Sequence, residues 1–215
     1  MVLEAVIFDM DGVLVDSEGF WAQAELDVFS SYGVQVTEDL ASLTRYMTTR
    51  EVTEFWYNRF PWGELDIPSV EQQVITRVIE LIRSDNCTMP GIEDLIRRFK
   101  NKAYKIGLAT NAPLQVAEAV LEKLEVRHLF DAVHSAESEV QGKPHPAVYL
   151  TAARKLGVSP EQCIAIEDSY SGLKAAKDAG MKTAVFTNDN EDIHFDIADF
   201  KIMNFKETRL PEFSL

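Results

Sequence analysis

Short apolar runs alternate with longer amphipathic stretches along most of this chain, and that alternation limits it to a parallel α/β sheet before any other feature is read. The runs are LEAVIF (3–8), KIGLAT (105–110), DAVHSA (131–136), CIAIED (163–168) and KTAVFT (182–187). A short apolar run stopped by turn chemistry reads as a strand buried on both faces. Helix-period stretches lie between them: PLQVAEAVLEKL (113–124), PAVYLTAARKL (146–156) and SGLKAAKDA (171–179). Strands separated by helices of this length form right-handed βαβ units, so the expected fold is a doubly wound parallel sheet.

Residues 17–84 break the alternation. FWAQAELDVFSSYG, TTREVTEFWYNRF and SVEQQVITRVIELIRS all carry the helical period, and no buried strand stands out among them. The expected organisation is therefore an α/β core of 1–16 and 85–215, with 17–84 inserted as an α-helical cap. The insertion follows the first strand directly. Ligands of open α/β sheets bind outside the carboxyl ends of the strands, so the cap is expected over that end.

Composition excludes several partners. The net charge of −14 argues against general nucleic-acid binding and against docking on anionic membranes, both of which recruit basic surfaces. No run approaches the roughly 20 apolar residues that span a bilayer. The N-terminus, MVLEAVIF, has no basic lead and meets acids at Asp9 and Asp11, unlike a signal peptide. Cys87 and Cys163 have no metal-ligand spacing and make no disulfide framework, which fits a reducing cytoplasm. A monomer is expected.

Four places carry chemistry. Asp9 and Asp11 stand two residues apart just past a strand, where Asp9 can attack phosphorus and Asp11 can pass a proton. Thr110 and Asn111 end the second run with a hydroxyl and an amide suited to phosphate oxygens. Lys143, in GKPHPAVY, can neutralise both a nucleophilic carboxylate and a transferring phosphate. Glu167 and Asp168 end a very apolar strand, and buried acids there need a partner such as Mg²⁺. Each has a plain structural reading when taken alone: a turn cap at Asp9 and Asp11, a helix cap at Thr110, a surface lysine, an N-cap at Asp168. Their common position at or beyond strand ends favours the joint reading of one phosphoryl-transfer site.

FDMDGVLVDSE, LATN, GKPHPAVY and IEDSYSG, in that order, resemble the four motifs of the haloacid dehalogenase superfamily, and the resemblance covers nearly the whole chain. It implies Asp9 as nucleophile, Asp11 as acid/base, Thr110 and Lys143 as phosphate holders, and Asp168 as a metal ligand. Asp9 and the Asp11 carbonyl would also bind the Mg²⁺ ion, and Glu167 would bind it directly or through water. The subgroup resembled is that of beta-phosphoglucomutase and the sugar-phosphate phosphatases, and the cap segments look most like 2-deoxyglucose-6-phosphate and hexitol phosphatases. Asp11 is absent from the true dehalogenases, and the cap lysine of the phosphonate hydrolases is missing here. Trp21 stands where the mutases carry a cap histidine, whereas Arg50 matches a mutase arginine that contacts a second phosphate. The implied function is a Mg²⁺-dependent phosphatase of a small phosphorylated metabolite, with a phosphohexose mutase and an idle binding protein as alternatives. Trp21 and Arg50 are the candidate substrate residues. Trp56 and Trp62 are expected to pack the cap, His145 to start a helix, and 188–196 to form a solvated loop.

Overall fold

Among the described residues, six strands form one sheet: β1 (Ala5–Phe8), β2 (Lys105–Thr110), β3 (Ala132–Ser135), β4 (Cys163–Glu167), β5 (Lys182–Phe186) and β6 (Phe200–Ile202). Their order is β3-β2-β1-β4-β5-β6, and every neighbouring pair is parallel. Each of the apolar runs is a strand, as expected. The exception is β6, where FKI is too short and too mixed to announce a strand from sequence. The computed structural model describes residues 2–44, 47–63 and 66–206, and by chain contacts it divides into two units, Met1–Asp16 with Thr88–Leu215, and Ser17–Cys87. Residues 207–215 of the expected core lie outside the described residues.

The second unit is helical: α1 (Glu18–Ser31), α2 (Glu38–Ser42), α3 (Thr49–Arg59) and α4 (Ile67–Ser84). Two of these helices have strong local starts. Thr48 accepts from the backbone N–H of Glu51 while the Glu51 side chain takes the N–H of Thr48, a capping box. Asp66 caps α4 at the N–H of Ser69, with Pro68 in the first turn. Val70, Val74 and Val78 bury one face of α4, and α1 buries Ala24, Val28 and Phe29. Trp56, tilted, and Trp62, stacked, meet Phe29 at 5.9 and 6.1 Å between ring centroids, so both pack this unit's core as expected. Arg77 on α4 donates to Asp27 on α1 at 2.9 Å.

Glu25 is half-buried on α1, and burial pushes its carboxyl from 4.5 up to about 7. A raised carboxyl pKa means the unfolded chain ionises first. The penalty from this one carboxyl is therefore absent below 4.5, grows as pH rises toward about 7, and then levels. Glu25→Gln should raise the thermal midpoint at pH 8 by roughly 5 °C, from about 2 kcal/mol, and leave it unchanged at pH 4. Equal midpoints at pH 8 in a scanning-fluorimetry titration would mean that the carboxyl is fully hydrated.

The remaining helices belong to the first unit: α5 (Ile92–Asn101), α6 (Leu114–Lys123), α7 (Ala147–Leu156) and α8 (Tyr170–Asp178). Alternation along β1 sends Ala5 and Ile7 to one face of the sheet, among Val148, Tyr149, Ala152 and Leu156 of α7. Phe8 faces the other side, edge-on to Phe99 and Phe130 at 6.2 Å. Each of the larger apolar side chains buried this way contributes about 1.5–3 kcal/mol. No described helix is long and apolar enough to cross a membrane.

Candidate active site

Parallel register fixes where the functional side chains emerge. Phe8 is opposite both Leu108 and Ile166, so Asp9 leaves the central strand level with the ends of β2 and β4. The chain runs outward in opposite directions from β1, and such a switch point opens a crevice at the carboxyl ends of the strands. Asp9 is nearly buried and its N–H donates to the carbonyl of Ile166 at 3.0 Å. Gly12 then turns the chain with φ +75°; a Cβ there would stand 2.0 Å from Oδ2 of Asp168. Asp11 lies on this turn, partly exposed.

Lys143 is 6% exposed, which removes the surface-lysine reading. Its Nζ donates to Oδ1 of Asp9 at 2.6 Å, to Oε1 of Glu167 at 2.6 Å and to the carbonyl of Ala109 at 2.8 Å. These acceptors come from the ends of three adjacent strands, so one ammonium ties the site together. Its backbone is held as well, because the N–H of Lys143 donates to Oδ1 of Asn111 at 2.8 Å. The amide of Asn111 is therefore engaged with the main chain of Lys143. Thr110 is fully buried, and its Oγ1 accepts from the N–H of Ala112 at 3.0 Å. Neither residue caps α6, whose N-cap is Pro113.

Glu167 is fully buried at the end of β4. Asp168 follows it but does not cap α8; Ser169 does, accepting from the N–H of Gly172 at 3.1 Å. This frees the carboxylate of Asp168 from capping. Asp9, Glu167 and Asp168 each offer an oxygen within 4.8 Å of the others, the group among the described residues that could hold a metal ion. The electrostatics agree with such a need. Burial, then the charge of Glu167, holds the Asp9 carboxyl well above its ordinary range, with Lys143 working in the opposite direction. Burial and Glu167 likewise push Asp168 up to about 7. For Lys143, burial disfavours the charge, but Asp9 and Glu167 outweigh it and raise the ammonium above its ordinary value.

One member of this site was not singled out in the sequence. Tyr149 is fully buried on α7, and its hydroxyl donates to Oε1 of Glu167 at 2.6 Å. An aromatic in a helix-period stretch reads as core, and only its partner marks it as polar. His145 does not start the helix as expected: α7 begins at Ala147 with Pro146 as its N-cap, and His145 lies just before it, its Nδ1 accepting from the N–H of Ala147 at 3.3 Å. Trp21 and Arg50 belong to the second unit. Trp21 is half-buried on α1, and Arg50 on α3 is ion-paired with Glu71 at 2.7 Å.

Comparison with known proteins follows the same lines. Residues 3–180 match the family model described as haloacid dehalogenase-like hydrolase. Hexitol phosphatase B of Escherichia coli (strain K12) is 40% identical over 207 residues, covering 94% of this chain and 93% of that protein. Beta-phosphoglucomutase of Bacillus subtilis (strain 168) is 30% identical over 192 residues, 83% of this chain and 81% of that protein. Among solved structures, CbbY from Rhodobacter sphaeroides in complex with phosphate superposes with a TM-score of 0.83 at 29% identity, over 96% of each chain. With most of its length matched by the family model, and with the sheet and the strand-end acids in place, this chain belongs to the haloacid dehalogenase-like hydrolases.

Proposed function

We propose that this hydrolase is a Mg²⁺-dependent phosphatase of small sugar or polyol phosphates, working through an aspartyl-phosphate on Asp9. The observation that carries the reading is the buried contact of 2.6 Å between Nζ of Lys143 and Oδ1 of Asp9, at the end of the central strand. The carboxylate of Asp9 attacks phosphorus and the bond from phosphorus to the sugar oxygen breaks. Asp11 gives its proton to that leaving oxygen. Water then attacks the aspartyl-phosphate, Asp11 takes its proton, and phosphate leaves Asp9 as the free carboxylate. Lys143 and Thr110 hold phosphoryl oxygens, with Asn111 keeping Lys143 in place. Trp21 and Arg50 are the proposed substrate residues of the second unit.

The donors suit Mg²⁺. Asp9, Glu167 and Asp168 are all hard carboxylates, and no histidine or cysteine joins the group. They would hold the ion together with the Asp11 carbonyl; bound there, it supplies positive charge to the phosphoryl oxygens. The free buried cysteines fit a reducing cytoplasm, and a monomer remains the proposed state.

Identity of 40% to a hexitol phosphatase, against 30% to a mutase, favours hydrolysis. So does Trp21 where the mutases carry a histidine, because an indole cannot shuttle a proton. Arg50 is the feature that favours the mutase, yet its guanidinium is taken by Glu71. Phosphate release is expected from hexitol phosphates and 2-deoxyglucose 6-phosphate, abolished by excess chelator and restored by Mg²⁺. Phosphorus NMR of β-glucose 1-phosphate with a trace of the bisphosphate provides the discriminating test. Rapid isomerisation without inorganic phosphate would overturn the hydrolase in favour of the mutase.

A further inference from the structure

Among the apolar side chains that α7 buries, Val148, Ala152, Ala153 and Leu156, Tyr149 is the one that brings a polar atom into the core. A phenylalanine would fill the same volume, so packing does not account for the hydroxyl. A buried hydroxyl needs a partner, and this one reaches a carboxylate already held by a lysine. Oε1 of Glu167 accepts two short bonds, from the Tyr149 hydroxyl and from Nζ of Lys143, each 2.6 Å. Among the described residues, Oε2 accepts the longer bond from Ser169 Oγ at 3.2 Å. Gly172 packs against the carboxylate as a whole, since a Cβ there would lie 1.9 Å from Oε1 and 2.1 Å from Oε2. The ring of Tyr149 also faces the ammonium of Lys143, 4.9 Å from its centroid.

Two donors on one oxygen fix the torsion of a carboxylate and leave the second oxygen for another partner. We propose that Tyr149 is a positioning residue of this site: its hydroxyl locks Glu167 so that Oε1 anchors Lys143 against Asp9 while Oε2 is presented for the divalent cation. The inference rests on the Mg²⁺-phosphatase reading above and assigns a role to a residue that touches neither substrate nor ion.

Tyr149→Phe removes the hydroxyl and keeps the ring, its volume and its face toward Lys143. The test titrates Mg²⁺ into substrate-free protein by calorimetry, for wild type, Tyr149→Phe, Glu167→Gln and the double variant. Thermal midpoints without Mg²⁺ and kcat and KM on p-nitrophenyl phosphate complete the set. Outer-shell partners of metal ligands typically carry 10- to 100-fold in affinity or activity. Tyr149→Phe is therefore expected to weaken Mg²⁺ binding about ten-fold. It should lower kcat at limiting Mg²⁺ by a similar factor, with KM changed less than about two-fold. In the Glu167→Gln background the same change should have almost no further effect on Mg²⁺ affinity, because the hydroxyl acts through that carboxylate. An unchanged Mg²⁺ affinity in folded Tyr149→Phe would overturn the proposal, and so would a fully additive loss in the double variant. A midpoint shift without a change in Mg²⁺ affinity would reduce Tyr149 to core filling. The affinity readout needs no substrate, so a wild type that binds Mg²⁺ but releases no phosphate would sink the phosphatase reading alone.

Discussion

Asp9→Asn should lower phosphate release by at least about 10³-fold while leaving the fold intact. The amide keeps the shape of the side chain but cannot accept a phosphoryl group as a carboxylate does. Its effect on stability should be small because two terms oppose. The substitution removes a carboxylate whose charge is disfavoured by burial and by Glu167, and it also removes one of three acceptors of Lys143. Circular dichroism and the thermal midpoint would verify the fold, and a colorimetric phosphate assay would measure turnover. Beryllium fluoride should inhibit the wild type by occupying Asp9 as a mimic of the aspartyl-phosphate. Substantial turnover by a well-folded, uncontaminated Asp9→Asn protein would remove Asp9 from the role of nucleophile.

Lys143→Met is expected to be the most destabilising change in the site. Methionine fills the stem's volume but leaves Asp9 and Glu167 buried together without a cation. Removing one partner of a buried ion pair typically costs about 3–5 kcal/mol, which for a chain of this size is roughly 10 °C in midpoint. Activity should fall about 10³-fold, since the charge that faces the transferring phosphoryl group is gone. The pH dependence has a definite sign. Lys143 has a raised pKa, so its contribution is complete below 10.5 and is lost only above the range in which enzymes are assayed. In the variant, the Asp9 carboxyl loses the cation that opposes its rise and takes a proton as pH falls, which relieves its repulsion with Glu167. The midpoint difference between wild type and variant should therefore be larger at pH 8 than at pH 5. A difference independent of pH would mean that methionine perturbs packing rather than charge.

Much of this site was legible because its members are anchored by local rules. A buried strand ends where polar chemistry begins, so Asp9, Thr110 and Glu167 could be placed at strand ends from LEAVIF, KIGLAT and CIAIED. Parallel βαβ connection then sends those ends to one side of the sheet. Capping was less readable. Asp168 and Ser169 are both good N-cap residues, and which of them caps depends on backbone angles that the sequence does not display. The edge strand β6 was missed because FKI has neither length nor alternation, and its pairing with β5 supplies what its own sequence lacks. Arg50 could be matched to a phosphate-binding position, but its pairing with Glu71 joins α3 to α4 across a gap that no local pattern spans.

By itself, the sequence determined the α/β alternation, the helical insertion after the first strand, and the residue types that can transfer a phosphoryl group. Tertiary structure alone decided how those residues are joined. Lys143 meets Asp9 across 134 positions of chain, and Tyr149 meets Glu167 across 18. Periodicity, capping and turn chemistry act over a few residues, so they report secondary structure well. A hydrogen bond between distant residues depends on strand order, register and the close packing of a helix onto the sheet. That is why a tyrosine that reads as core in the sequence becomes, in the folded protein, the second donor on a buried carboxylate.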